Sequence, residues 1–230
     1  MLFSAVIFDM DGLLLDSERV IMQAWLAAAR EERLLLSEQD FLLVVGLGAQ
    51  ESTATLSRLL GGSEGCQRVR DRARAWLAAQ PGVVFPLKRG ARQLLQMLRA
   101  RGVPCAVASS TSIDEVRHRL GQVGVLDCFQ ALAGGDEVSR SKPDPAVYLL
   151  AAARLGLPPA RCLAFEDSDH GARSAHDAGL RVVVVPDLKR YEFEAAYMTL
   201  PSLEEAVDHV DRWFAGGADI ARTAAPAPLP

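Results

Sequence analysis

The residues best suited to chemistry fall at the ends of short apolar runs. Asp9 and Asp11 follow the run Leu2 to Phe8, Ser109 and Ser110 follow Val103 to Ala108, and Asp136 follows Ala131-Leu132. Glu166 and Asp167 follow Cys162 to Phe165, and Lys142 stands ahead of Pro143 between the last two runs. Carboxylates gathered in one place raise one another's pKa unless a cation neutralises them. An all-oxygen set suits Mg²⁺, which takes few protein ligands and keeps several waters. Each piece also has a plainer reading. Asp-x-Asp-Gly is an ordinary turn composition, while Glu166-Asp167-Ser168 and Ser109-Ser110-Thr111 can cap helices. Lys142 can be a solvated loop charge. Polar sites at four successive strand ends are nevertheless poorly explained by coincidence.

The elements that must position these groups follow from the apolar pattern. The runs named above, with Val182 to Val185, are short and β-prone and predict buried strands. Between them lie helical patterns over Ala91 to Arg101, Ile113 to Val123, Pro145 to Leu155 and His170 to Ala178, and a closing helix spans Leu203 to Phe214. Strands separated by helical crossovers predict an α/β, doubly wound, Rossmann-like core with a parallel sheet and functional groups at the strands' carboxyl ends. From Ser17 to about Gln80 the pattern is helical only, broken at Gly46–Gly48 and Gly61–Gly65, which predicts a small all-helical cap inserted after the first strand. The expected division is therefore a core of residues 1–16 and 84–215, a cap of 17–83, and a Gly/Ala/Pro-rich, disordered tail of 216–230.

The bulk numbers exclude several classes. Of 230 residues half are hydrophobic and 23% charged, enough for a sizeable core. A net charge of −4 gives no electrostatic footprint for nucleic acid. Cys66, Cys105, Cys128 and Cys162 form no CxxC pair and read as reduced thiols. The opening MLFSAVIFD lacks the marks of a signal peptide, and no apolar stretch has membrane length. A cytoplasmic protein, monomer or weak dimer, is expected. His118, His170, His176 and His209 share no ligand spacing. Trp25 and Trp76 read as cap core, Trp213 as packing for the last helix, and the run Arg68, Arg70, Arg72, Arg74 as a solvated helix face.

Four segments together resemble a known family. Phe8-Asp9-Met10-Asp11-Gly12, Val107-Ala108-Ser109-Ser110, Lys142-Pro143-Asp144-Pro145 and Phe165-Glu166-Asp167-Ser168 are similar in order and spacing to the four signatures of haloacid dehalogenase-superfamily phosphatases. The helical insertion resembles the cap of the β-phosphoglucomutase-like subgroup. The resemblance implies a role for each matched residue. Asp9 would be the nucleophile, carrying an aspartyl-phosphate. Asp11 would serve as general acid and base. Ser109, the backbone N–H of Ser110, and Lys142 would hold the phosphoryl group. Mg²⁺ would be bound by Asp9, the Asp11 carbonyl, Asp167, and Glu166 directly or through water.

The implied activity is Mg²⁺-dependent hydrolysis of a small phosphorylated metabolite, a sugar phosphate or a nucleoside or pseudouridine monophosphate. Asp11 favours phosphate chemistry over dehalogenation, since dehalogenating members typically lack it. Substrate choice is attributed to the cap, so Glu18 and the loop Gly46 to Gln50, including Gly48, become candidate substrate contacts; the loop reads equally as a break between helices. Where β-phosphoglucomutases typically carry an arginine in this loop, the chain has Ala49 and Gln50, which argues against the alternative of a phosphomutase. A second alternative, a non-enzymatic phospho-acceptor signalling domain, is opposed by the position of Asp9 and by the insertion. The stretch Gln80 to Pro86 and Asp16 to Glu18 are the two chain crossings; the resemblance implies a hinge there that lets the cap close, and the same residues read also as static linkers.

Overall fold

The first buried run is a strand of only four residues, β1 (Ala5–Phe8), and the strand-end groups singled out in the sequence are arranged around its carboxyl end. The computed structural model describes residues 2–47, 49–80, 85–189 and 191–214. Beyond β1 the chain forms α1 (Ser17–Glu31), α2 (Glu38–Leu42), α3 (Ala49–Leu59) and α4 (Ser63–Ala78). It then alternates: α5 (Ala91–Ala100), β2 (Cys105–Ala108), α6 (Ile113–Gln122), β3 (Ala131–Ala133), α7 (Ala146–Leu155), β4 (Cys162–Glu166), α8 (Asp169–Asp177) and β5 (Arg181–Val184). A two-residue strand β6 (Met198–Thr199) and two short helices, α9 (Leu203–Ala206) and α10 (Val210–Phe214), complete it. The sheet is parallel throughout, in the order β3-β2-β1-β4-β5-β6. β6 was absent from the sequence reading, and the expected closing helix is split by a 3₁₀ turn at Val207–His209.

Alternate residues of a strand face opposite ways, so each strand feeds two cores. Val6, Phe8, Val107, Leu163, Phe165 and Val183 pack under α5, α6, α9 and α10. Ala5, Ile7, Ala106, Ala108, Ala164 and Val184 pack under α7 and α8, where small side chains let the helices lie close. Trp213 is fully buried in the first core, edge-on to Phe165 at 5.7 Å, as expected for a residue anchoring the last helix. All four cysteines are free thiols.

A third apolar cluster lies within α1 to α4, built on Ala24, Ala28, Phe41, Leu56 and Val69 with Trp25 and Trp76 against it. Arg68 and Arg72 reach across from α4 to Glu32, so the arginine run is an exposed face that also ties α4 to α1. The two chain crossings run side by side: Asp16 N–H donates to Pro86 C=O at 2.8 Å and Lys88 N–H to Leu14 C=O at 2.8 Å. Residues 81–84, which hold the expected end of the cap and much of the expected hinge, lie outside the described residues, as do Gly48 and the expected tail 216–230. Among the described residues no helix is long and apolar enough to cross a membrane.

Candidate active site where the strand order reverses

The order of the sheet reverses between β1 and β4, and such a reversal opens a crevice beyond the strands' carboxyl ends. Parallel pairing sets Phe8 beside Phe165, and Asp9 N–H donates to Phe165 C=O at 3.0 Å. Asp9 is thereby carried to the same level as Glu166 and Asp167, and carboxylate oxygens of the three lie within 4.8 Å of one another. Lys142 joins them. Its Nζ donates to Asp9 Oδ1 at 2.6 Å, Glu166 Oε1 at 2.7 Å and Ala108 C=O at 3.0 Å. Ser109, buried at the end of β2, is held by a bond from its N–H to Ala133 C=O at 3.0 Å.

Two glycines make room for this crowding. Gly12 has φ +85°, and a Cβ there would lie 2.1 Å from Asp167 Oδ2. A Cβ at Gly171 would lie 2.0 Å from Glu166 Oε1. Any larger residue at either position would displace a carboxylate.

The electrostatics follow from burial. Desolvation pushes the Asp9 carboxyl well above the usual range, against the pull of Lys142 and with a further push from Glu166. Asp167 is raised well above the usual range by burial and then by Asp9 and Glu166. Burial alone would lower Lys142, but Asp9 and Glu166 more than reverse this and raise it. Glu18 is pushed up to about 7 by burial, with Asp11 and Asp187 adding to the shift. Negative charge thus exceeds positive charge at the bottom of the crevice.

That crevice continues into a cleft of about 490 Å³ between sheet edge and helical insertion. Asp9, Asp11, Ser109, Ser110, Lys142 and Asp167 line it, as does Glu18 from α1. Glu166 lies just beneath, fully buried. Of the expected specificity loop, Gly46 and Leu47 reach the cleft, whereas Gly48 lies outside the described residues. His170 is the one histidine on the cleft wall among the described residues.

Asp136 departs from expectation. Its Oδ1 accepts from Ile113 N–H at 2.8 Å, closing the amino end of α6, and it takes no part in the carboxylate cluster. A strand-end carboxylate can serve a helix as readily as a metal, and here the loop turns it to the helix.

Several groups in the site were missed. Tyr148 of α7, fully buried, donates to Glu166 Oε1 at 2.8 Å. Arg119 of α6 and Thr111 both bind the Asp11 carboxylate. Asp187 and Tyr191 line the cleft, and Asp187 pairs with Lys88 beside the second chain crossing. Positions directly after strands had a signal, and Asp187 had one in its Val-Pro-Asp context; Tyr148, Arg119, Thr111 and Tyr191 carried none beyond their type.

A Rossmann-like core whose switch point gathers three carboxylates, a lysine bonded to two of them and a strand-end serine is an arrangement suited to an enzyme that hydrolyses phosphate monoesters. The profile of the haloacid dehalogenase-like hydrolases matches residues 3–179. Protein CbbY of Rhodobacter capsulatus is 35% identical over 88% of this chain and 94% of its own. The phosphorylated carbohydrates phosphatase of Thermotoga maritima is 29% identical over 76% of this chain and 82% of its own. Among solved structures, a variant of CbbY from Rhodobacter sphaeroides in complex with xylulose-(1,5)bisphosphate superposes with a TM-score of 0.71 at 28% identity, covering 88% of this chain and 96% of that one. The chain belongs to the haloacid dehalogenase-like hydrolases, as a phosphatase of their β-phosphoglucomutase-like subgroup.

Proposed function

We propose that the chain hydrolyses a small, sugar-like phosphate monoester in the cytoplasm, through an aspartyl-phosphate on Asp9. The observation that carries this reading is Lys142, whose single ammonium bridges Asp9 and Glu166 and so presents the nucleophile with its charge partly neutralised. An oxygen of Asp9 attacks phosphorus, the bond to the leaving oxygen breaks, and Asp11 gives that oxygen a proton. Water then attacks the aspartyl-phosphate, Asp11 takes the water's proton, and phosphate leaves with Asp9 restored. Ser109, the Ser110 N–H and Lys142 hold the phosphoryl oxygens meanwhile, and such fixed donors stabilise the charge that develops in transfer.

The donor set is all oxygen and carries surplus negative charge, which fits Mg²⁺. Asp9, Asp167, Glu166 and the Asp11 carbonyl would hold the ion, and it would neutralise charge on the phosphoryl group. A sugar-like leaving group is supported by the carbohydrate-phosphate names of the relatives and by a cleft whose walls offer Glu18, His170 and Tyr191 for hydroxyl contacts. The test is phosphate release from a panel of sugar, polyol and nucleoside monophosphates, with Mg²⁺ or EDTA, for wild type and Asp9→Asn. Mg²⁺-dependent release that vanishes in Asp9→Asn is expected. Release undiminished in Asp9→Asn would overturn the nucleophile assignment.

A further inference from the structure

Asp11 is held from two sides by groups to which no role has been given. Arg119 Nη1 donates to Asp11 Oδ1 at 2.8 Å, and Thr111 Oγ1 donates to Oδ2 at 2.8 Å. Arg119 is itself fixed in three directions. Its Nε donates to Glu115 Oε1 one helical turn earlier at 2.9 Å, and its guanidinium lies over the ring of Phe85, 4.5 Å from the centroid. Phe85 is buried and sits in the second chain crossing, next to Pro86. An arginine gripped by its own helix, by a ring from another segment and by a carboxylate has little freedom to turn. Its planar fork therefore transmits a definite orientation to Asp11.

The two donors are not equivalent. A guanidinium only donates, so the oxygen it binds cannot carry a proton directed at it. A hydroxyl donates or accepts by rotating about its own bond. We propose that Arg119 is a positioning residue for the reaction: it fixes Oδ1 of Asp11, leaving Oδ2, beside the Thr111 hydroxyl, as the oxygen that hands the proton to the leaving group. When Asp11 is protonated, the O–H bond is at Oδ2. It breaks as the leaving oxygen departs from phosphorus, and it re-forms there when water attacks the aspartyl-phosphate. Thr111 keeps donating to the remaining lone pair of Oδ2 and Arg119 to Oδ1, so the O–H at Oδ2 is left free to face the leaving oxygen.

This inference rests on Asp11 acting as the acid, and Asp11→Asn separates the two ideas: a ratio of benzyl to p-nitrophenyl phosphate hydrolysis that it leaves unchanged would overturn the acid itself, whatever Arg119→Met shows. kcat/KM reports only the steps up to the first irreversible one, here the departure of the leaving group. Benzyl phosphate needs a proton for its poor leaving oxygen, whereas p-nitrophenyl phosphate, of similar size, scarcely does. With the full chain and Mg²⁺, Arg119→Met is expected to lower kcat/KM for benzyl phosphate by roughly 30-fold, a part of the roughly 10²–10⁴-fold that general acid catalysis supplies. The ratio of the two kcat/KM values should move by about tenfold or more. Phe85→Leu, which removes the ring beneath the guanidinium and leaves every polar group in place, should move it in the same direction by a smaller factor and serves if Arg119→Met fails to fold. Equal losses on both substrates, or none on benzyl phosphate, would overturn the positioning role. Hydrolysis that survives in Asp9→Asn would instead overturn the nucleophile, whatever the ratio shows.

Discussion

Replacing Asp167 by Asn should remove activity and yet make the metal-free protein more stable. Asp167 lies within 4.8 Å of carboxylate oxygens of both Asp9 and Glu166, with Lys142 the one cation bonded within the cluster among the described residues. At that distance and an effective dielectric constant of about 20, two like charges repel by about 3.5 kcal/mol. The lysine offsets about one of Asp167's two repulsions, so about 3.5 kcal/mol is a ceiling, and proton uptake reduces it further. If half is realised, a chain of this size gains roughly 3–7 °C in Tm, at about 2–4 °C per kcal/mol. The pH dependence has a definite sign. The folded-state pKa of Asp167 is raised, so its contribution to stability is full below the unfolded value of 3.8 and is lost as pH rises through the folded value. The advantage of Asp167→Asn in EDTA should therefore grow with pH. Mg²⁺ reverses the ranking, because binding at a hundredfold excess over Kd adds about 2.7 kcal/mol to wild type and much less to a variant that has lost a ligand. Differential scanning fluorimetry of both proteins from pH 5 to 8, in EDTA and in Mg²⁺, measures every part of this. A lower Tm for the variant in EDTA, or an undiminished Mg²⁺ shift, would refute the account of a cluster held together against its own charge.

Two further outcomes follow from single contacts. Lys142→Met leaves Asp9 and Glu166 without their shared cation, and breaking a buried pair in this way costs about 3–5 kcal/mol, readable by urea unfolding in EDTA. The same change should cut kcat by about 10²–10³ with Mg²⁺ present, the usual loss when one charge-stabilising donor is removed. Just past the carboxyl end of β3, hydrogen bonds from Arg154 lower Glu137 to about 2, so its contribution is present above the unfolded value of 4.5 and is lost as pH falls to about 2. Arg154 is more than a third exposed, which limits the pair to about 1 kcal/mol; Glu137→Gln should lose that much at pH 6 and nothing near pH 2, by chemical denaturation at the two pH values.

What could be read from the sequence and what could not divides along a physical line. The strand-end groups Asp9, Ser109, Glu166 and Asp167 were legible because the backbone alone determines where they go: an apolar run must be buried, its end must emerge, and the next side chain faces the crevice. β6 was not legible, since Met198–Thr199 has no apolar run and owes its pairing to β5, whose Val182 and Val184 carbonyls bond Tyr197 and Leu200. Nor was the 3₁₀ break after α9, because a tightened turn preserves the apolar spacing of a helix. Arg119 and Tyr148 were hidden for a different reason. On the sequence Arg119 is half of a Glu115–Arg119 surface pair and Tyr148 is one more apolar-face residue of α7, while their working partners lie 108 and 18 residues away. Residues that act by holding another side chain become visible only when tertiary packing brings the two together.

Asp136 shows the reverse error, a legible position with the wrong partner. The segment Glu166-Asp167-Ser168 shows why the plain and chemical readings of such positions need not compete. The Ser168 hydroxyl accepts from Gly171 N–H at 3.2 Å, as a helix cap should, and also donates to Glu166 Oε2 at 3.2 Å. The cap that starts α8 is thus the same group that helps to orient the buried Glu166 carboxylate beside Asp9. Gly171, the third residue of that helix, is required by the same arrangement, since a Cβ there would strike Glu166. Helix initiation and site geometry at this corner are one constraint on the sequence, and a residue chosen for either must satisfy both.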